Sequence, residues 1–183
     1  MSSSLCDPAF VARLAEAVAS VGDKLQAKGW SLALAESCTG GLVSHLVTNQ
    51  PGCSVWYKGG LATYANSVKT TLLGVSRQVL EEHGAVSRET VEAMALGVIL
   101  AFGTEVGAAL SGIAGPTGGT PHKPVGTVWA AWVTPEGCRS ERFHFTGNRE
   151  EIKAQSALAA LRGLEGLLDQ PRTAIGLSPE LEA

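Results

Sequence analysis

Apolar residues open the chain at helical spacing: Phe10, Val11, Leu14, Val18, Val21 and Leu25 follow one another at intervals that keep them on one face. Asp7 before Pro8 supplies an N-cap and a first-turn proline, and Gly29 a stop, so the first element is a helix. Residues 31–35, Ser-Leu-Ala-Leu-Ala, form a short apolar run that breaks at Glu36-Ser37-Cys38-Thr39-Gly40-Gly41 before Leu42, Val43, Leu46 and Val47 resume the helical period. The pattern there is strand, polar turn, helix. Pro51-Gly52 closes this unit, Leu61 to Tyr64 is expected as a second short strand, and a helix from Asn66 to Leu73 follows with Asn66 as its cap. Ser76 and Ser87 each read as the N-cap of a further helix, with Gly84 and Gly103 as stops.

Residues 106–112 form another apolar strand, and the stretch 112–126, with five glycines and three prolines, has to be a loop. Residues 128–133 and 139–145 flank Thr134-Pro135-Glu136-Gly137 as the arms of a hairpin. Asn148 with Glu151 forms a capping box for a last helix carrying Ile152, Leu158, Leu161, Leu164 and Leu168, which Pro171 ends. The alternation predicts the α/β class: one three-layer α/β/α domain over residues 1–170 with a mixed sheet, because the hairpin forces an antiparallel pair, and a frayed tail over 171–183.

Composition narrows the function classes. The chain has 183 residues, 45% of them hydrophobic and 17% charged, which suits a compact fold that needs no disulfide or structural metal. A net charge of −3 with scattered basic residues gives no footprint for nucleic acid. No apolar run reaches the roughly 20 residues of a membrane span, and no basic segment with a hydrophobic run opens the chain, so a cytoplasmic protein is expected. Cys6, Cys38, Cys53 and Cys138 form no CxxC pair, and neither a metal site nor a disulfide framework is expected.

Three segments could carry chemistry. In residues 35–41, hydroxyls at a strand tip stand beside a glycine-lined helix start, whose N–H groups can hold a phosphate or an oxyanion; Ser37 or Thr39 could equally be a plain helix cap. In residues 64–69, Tyr64 precedes Lys69 by a little over one helical turn, and a lysine in the first turn faces the positive end of the helix dipole, which favours the neutral amine. A solvated lysine beside a half-buried tyrosine is the plain alternative. The third is the loop entered through Ser111 and Gly112, where glycines allow close approach of backbone to a ligand; its spacing does not match Gly-x-Gly-x-x-Gly.

Ala-Glu-Ser-Cys-Thr-Gly-Gly at 35–41, Gly60 to Lys69, Glu82 to Ser87, Ser111 to Thr120 and Lys123-Pro124-Val125-Gly126-Thr127, in this order, resemble the CinA carboxy-terminal family of PncC-type nicotinamide-nucleotide amidohydrolases. The resemblance covers roughly residues 8–168, with Ser111 where the family more often has threonine. It implies hydrolysis of nicotinamide mononucleotide to nicotinate mononucleotide and ammonia, with Ser37, Tyr64 and Lys69 as catalytic residues, no metal or other cofactor, and a homo-oligomer. In this reading neutral Lys69 takes the proton of Ser37, Tyr64 orients the pair or relays the proton, and Thr39, Gly40, Gly41, Ser111, Gly112, Gly115 and Arg149 bind substrate, with Lys123 behind them. Cys38 at the helix start is the rival nucleophile. A Ser-His-Asp triad is disfavoured, since Gly-x-Ser-x-Gly is absent and His45, His83, His122 and His144 have ordinary placements. The alternative from another class is a nucleotide-binding regulatory module without turnover.

Overall fold

The structure, a computed structural model, describes residues 4–169. Helix α1 (Pro8–Lys28) starts as expected, with the Asp7 carboxylate accepting from the Ala9 N–H, and ends at Gly29 in the left-handed conformation. Strand β1 (Leu32–Glu36) leads through the glycine turn into α2 (Leu42–Thr48). Then come β2 (Tyr57–Ala62), α3 (Asn66–Leu73), α4 (Arg77–Glu82), α5 (Arg88–Phe102), β3 (Val106–Gly112), β4 (Thr127–Thr134), β5 (Gly137–His144) and α6 (Arg149–Leu168). The Asn148–Glu151 capping box opens α6.

The five strands form one sheet in the order β2-β1-β3-β4-β5. Strand β1 runs parallel to both β2 and β3, while β4 and β5 continue the sheet antiparallel, as the hairpin demands. Helices cover both faces, which makes this the three-layer mixed α/β fold that the element order predicted.

The two faces are packed differently. Toward α1 and α6 the sheet presents Leu32, Leu34, Val106, Leu110 and Trp132, met by Leu14, Val21, Leu25, Leu161 and Leu164. Toward α5 it presents Ala33, Ala35, Ala109 and Ala131, met by Leu73, Val91, Met94 and Val98. Small side chains on that face let the helices come close to the strands. Helix α3 in turn lies on α5 where Gly97 passes the end of α3, and a Cβ on Gly97 would run into the Leu73 carbonyl.

Two local expectations are corrected. Strand β2 ends at Ala62 rather than starting at Leu61, so Tyr64 lies two residues beyond it. Its side chains alternate between half-buried and exposed and it contains Gly59 and Gly60, so the apolar signal is weak although β1 pairs with it along its length. The cap of α3 is the extended backbone of Ala65, which leaves Asn66 as the first helical residue. The expected end at Pro171 and the tail beyond it lie outside the described residues.

Candidate active site

Parallel pairing brings three strand tips to one edge. Glu36 is opposite Ala62 on β2 and Leu110 on β3, so the next residues, Thr63, Ser37 and Ser111, emerge side by side. Two backbone bonds hold this row: the Ser37 N–H donates to the Leu110 carbonyl at 2.9 Å, and the Thr63 N–H to the Glu36 carbonyl at 2.8 Å. Alternation along β1 gives Ala33, Ala35 and Ser37 one face and Leu32, Leu34 and Glu36 the other. Ser37 therefore turns toward α3, and Glu36 toward α2.

Helix α3 delivers Lys69 to that row. Its side chain is fully buried, and Nζ lies 3.0 Å from Ser37 Oγ, 2.8 Å from the Thr63 carbonyl and 3.1 Å from the Tyr64 carbonyl. Among the described residues no carboxylate pairs with it. Burial lowers its pKa below the ordinary lysine value of 10.5. A neutral amine has two N–H groups and one lone pair. As an ammonium the group donates to all three oxygens; in the neutral form, with two carbonyls taking the N–H groups, the lone pair would face the remaining neighbour, the Ser37 hydroxyl.

The cleft in front of this pair has a volume of about 250 Å³ and is lined by Ser37, Lys69, Tyr64, Ser111, Gly112, Gly115 and Arg149, so these seven of the expected site residues share one space. Tyr64 contributes differently from expectation: its carbonyl holds Lys69, while the residue as a whole is 65% exposed and its hydroxyl stands 3.5 Å from Arg149 Nη2. Arg149 also donates through Nη1 to the Gly115 carbonyl at 2.8 Å, tying the start of α6 to the long loop.

Thr39, Gly40 and Gly41 do not line the cleft. Thr39 is fully buried and its hydroxyl lacks a protein partner. The Gly40 N–H donates to the Ser37 carbonyl and the Gly41 N–H to the Glu36 carboxylate. Lys123 is also elsewhere, donating to the His83 carbonyl at 2.8 Å. No histidine lines the cleft; His83, for instance, sits 3.8 Å from Glu82 and 3.7 Å from Glu89 on the surface. Cys38 reaches the cleft, but its thiol is packed with Ala114, Val128 and Ile152, and burial pushes its pKa up to about 12. A thiol in that state supplies almost no thiolate at neutral pH.

Sequence reasoning missed Glu36 and the wall formed by Ala85 and Val86. The signal for Glu36 was present: an ionisable side chain alternating with leucines points into the core, where a charge has to find donors. Ala85 and Val86 carry no chemistry that composition could reveal. Among the described residues no group of three or more His, Cys, Asp or Glu side chains could hold a metal ion, and no helix is long and apolar enough to cross a membrane.

The family model for the CinA C-terminal domain matches residues 14–168. The chain belongs to that family. It is 46% identical over 151 residues to a nicotinamide-nucleotide amidohydrolase PncC of Enterobacter agglomerans, covering 82% of this chain and 92% of that protein. A CinA-like protein of Geotalea uraniireducens is 47% identical over 146 residues, 80% of this chain but 35% of that protein. This CinA-family chain thus spans nearly the whole of the first relative and about a third of the second. Among solved structures, a competence/damage inducible protein of Agrobacterium tumefaciens aligns with a TM-score of 0.83 at 34% identity, over 86% of this chain and 96% of that one. A CinA superfamily protein of Klebsiella pneumoniae gives 0.82 at 35% identity, over 85% and 97%.

Proposed function

We propose that this protein hydrolyses the carboxamide of nicotinamide mononucleotide to nicotinate mononucleotide and ammonia, a reaction of pyridine nucleotide salvage, with Ser37 as nucleophile and Lys69 as general base. One observation carries the reading: a buried amine that pairs with no carboxylate among the described residues lies 3.0 Å from a serine hydroxyl at the floor of a cleft. The names of the 46%-identical PncC relatives supply the substrate.

The lone pair of Lys69 takes the Ser37 proton as Oγ bonds to the carboxamide carbon. Collapse of the tetrahedral intermediate breaks the C–N bond, and the ammonium of Lys69 returns the proton to the leaving nitrogen, which departs as ammonia. Water then attacks the acyl-enzyme with Lys69 again as base, and Ser37 leaves with the proton. With the Gly40 and Gly41 N–H groups committed elsewhere, the oxyanion falls to the Cys38 N–H or to the 114–118 loop. Tyr64 fixes the amine through its carbonyl, and its ring with Arg149 forms the mouth, where the substrate phosphate meets the guanidinium. A proton relay through the phenol would require it to swing inward from Arg149. A cytoplasmic homo-oligomer belongs to the same proposal.

Ammonia release on adding the mononucleotide, read by a coupled assay, tests the proposal. Release from wild type with loss in Ser37→Ala is expected. A thermal shift with nicotinamide mononucleotide but no ammonia would instead mark a binding module.

A further inference from the structure

Glu36 is fully buried beside the nucleophile, and no cation among the described residues pairs with it. Its carboxylate accepts four hydrogen bonds: from the N–H groups of Gly41 at 3.0 Å, Val43 at 3.1 Å and Ser44 at 2.8 Å, and from Ser44 Oγ at 2.7 Å. An ionised carboxylate offers about four lone-pair positions, so its accepting capacity is used up. Three of these four donors are otherwise unpaired N–H groups at the start of α2.

The same residue reaches the other half of the dyad through its main chain. Its carbonyl accepts from the Thr63 N–H, and the Thr63 carbonyl accepts from Lys69. The side chain therefore pins the turn that carries Ser37, and the backbone pins the segment that holds Lys69. Gly40 at φ +64° and Gly41 at φ +98° let the chain turn sharply enough for the carboxylate to reach back to its own turn.

We infer that Glu36 is a positioning residue, which fixes Ser37 against Lys69 and closes the start of α2 to anions. Substrate phosphate is thereby directed to Arg149, and the carboxamide to Ser37. Glu36 takes no part in proton transfer, since its oxygens are saturated on the α2 side of the sheet and Lys69 lies on the other. This inference rests on Ser37 being the nucleophile of the proposed reaction.

Chemical rescue tests it. Wild type, Glu36→Ala, Glu36→Gln and Ser44→Ala are compared per folded site, with and without formate. Two rates are read: labelling of Ser37 by phenylmethanesulfonyl fluoride, seen by mass spectrometry of the Ser37 peptide, and ammonia release from nicotinamide mononucleotide. Misplacement of the hydroxyl in Glu36→Ala lowers both rates on the order of 10²-fold, with KM within about threefold and the pH profile unmoved. Formate, filling the vacated acceptor position, restores about tenfold of the loss in Glu36→Ala but nothing in Glu36→Gln, whose amide turns N–H against N–H.

A folded Glu36→Ala with wild-type Ser37 reactivity overturns the inference. So does formate that raises Tm without raising Ser37 reactivity. Should Glu36→Ala fail to fold, Glu36→Gln and Ser44→Ala carry the test, and unchanged Ser37 labelling in both overturns it. Wild type labelled at Ser37 but releasing no ammonia would sink the amidase reading while the labelling rates still decide on Glu36; wild type neither labelled nor active sinks both.

Discussion

The turn after β1 and the loop after β3 leave the same sheet edge, yet they are held in opposite ways. The first spans residues 37–41 and is fastened from within, with a buried carboxylate taking the N–H groups of its last residue and of the helix beyond. The second spans residues 113–126; the Gly126 N–H closes its base on the Ile113 carbonyl, and it is tied to other segments by Arg149 on the Gly115 carbonyl, Lys123 on the His83 carbonyl and the Ile113 N–H on the Thr127 carbonyl. Chemistry that needs a hydroxyl held to a fraction of an ångström belongs on the first. Recognition of a flexible anionic substrate suits the second, whose anchors are long side chains.

The sharpest way to separate the two is to disable each. Lys69→Met removes the proposed base from the rigid side, and kcat is expected to fall by about 10² to 10⁴ with little change in KM; steady-state ammonia release would expose a retained kcat. Arg149→Ala acts on the adaptable side, raising KM about tenfold or more with kcat nearly kept. If kcat collapsed instead, Arg149 would be part of the chemistry.

Stability against pH sharpens the rigid side further. The folded pKa of Lys69 is lowered from 10.5, so between that lowered value and 10.5 the unfolded chain binds more protons and stability rises with pH. The penalty of burying the ammonium is therefore felt at low pH and is gone above 10.5. Denaturant titrations should show Lys69→Met more stable than wild type near neutrality, with the gap narrowing toward pH 10; a constant gap would mean that Lys69 keeps its ordinary pKa. Wild-type kcat is expected to climb with pH up to that lowered value, where the folded amine loses its proton, and to level off across the window above it.

A smaller effect reaches the loop through its anchor. Asn148 caps α6 by accepting from the Glu150 and Glu151 N–H groups, and Asn148→Ala is expected to cost about 1 kcal/mol in denaturant unfolding. It also loosens Arg149, the first residue of that helix, so KM drifts upward. Cys38 should show the least: Cys38→Ser keeps activity, and iodoacetamide leaves native Cys38 unmodified near neutral pH because its thiol stays protonated. Rapid alkylation with loss of activity would return the thiol to contention.

How much of this was legible depended on what each segment needs from its neighbours. Helices α1 and α6 announced themselves, since caps and a 3.6-residue period are written locally, and the hairpin showed its turn. Strand β2 did not, because an edge strand with Gly59, Gly60 and alternating exposure depends on β1 for its pairing. At the site, motif resemblance suggested Ser37 with Lys69, but their meeting depends on α3 crossing α5 at Gly97, a long-range fact that no spacing encodes. The phenol of Tyr64 was expected at the dyad, whereas the backbone of that residue does the holding. Gly40 and Gly41 suggested an anion cradle, and only the folded turn shows the Gly41 N–H given to Glu36 and the Gly40 N–H to the Ser37 carbonyl.

The alanine-lined face of the sheet has a consequence for how this protein tolerates change. Ala33, Ala35, Ala109 and Ala131 act as a spacer of minimum thickness beneath α5, and α3 packs against that helix at Gly97. An added methylene at any of them would lift α5, carry α3 with it and widen the serine–amine gap from a distance. The leucine-rich opposite face can absorb swaps of similar volume without that penalty, so random substitution should silence the protein through the thin side of the sheet well before it unfolds it through the thick one.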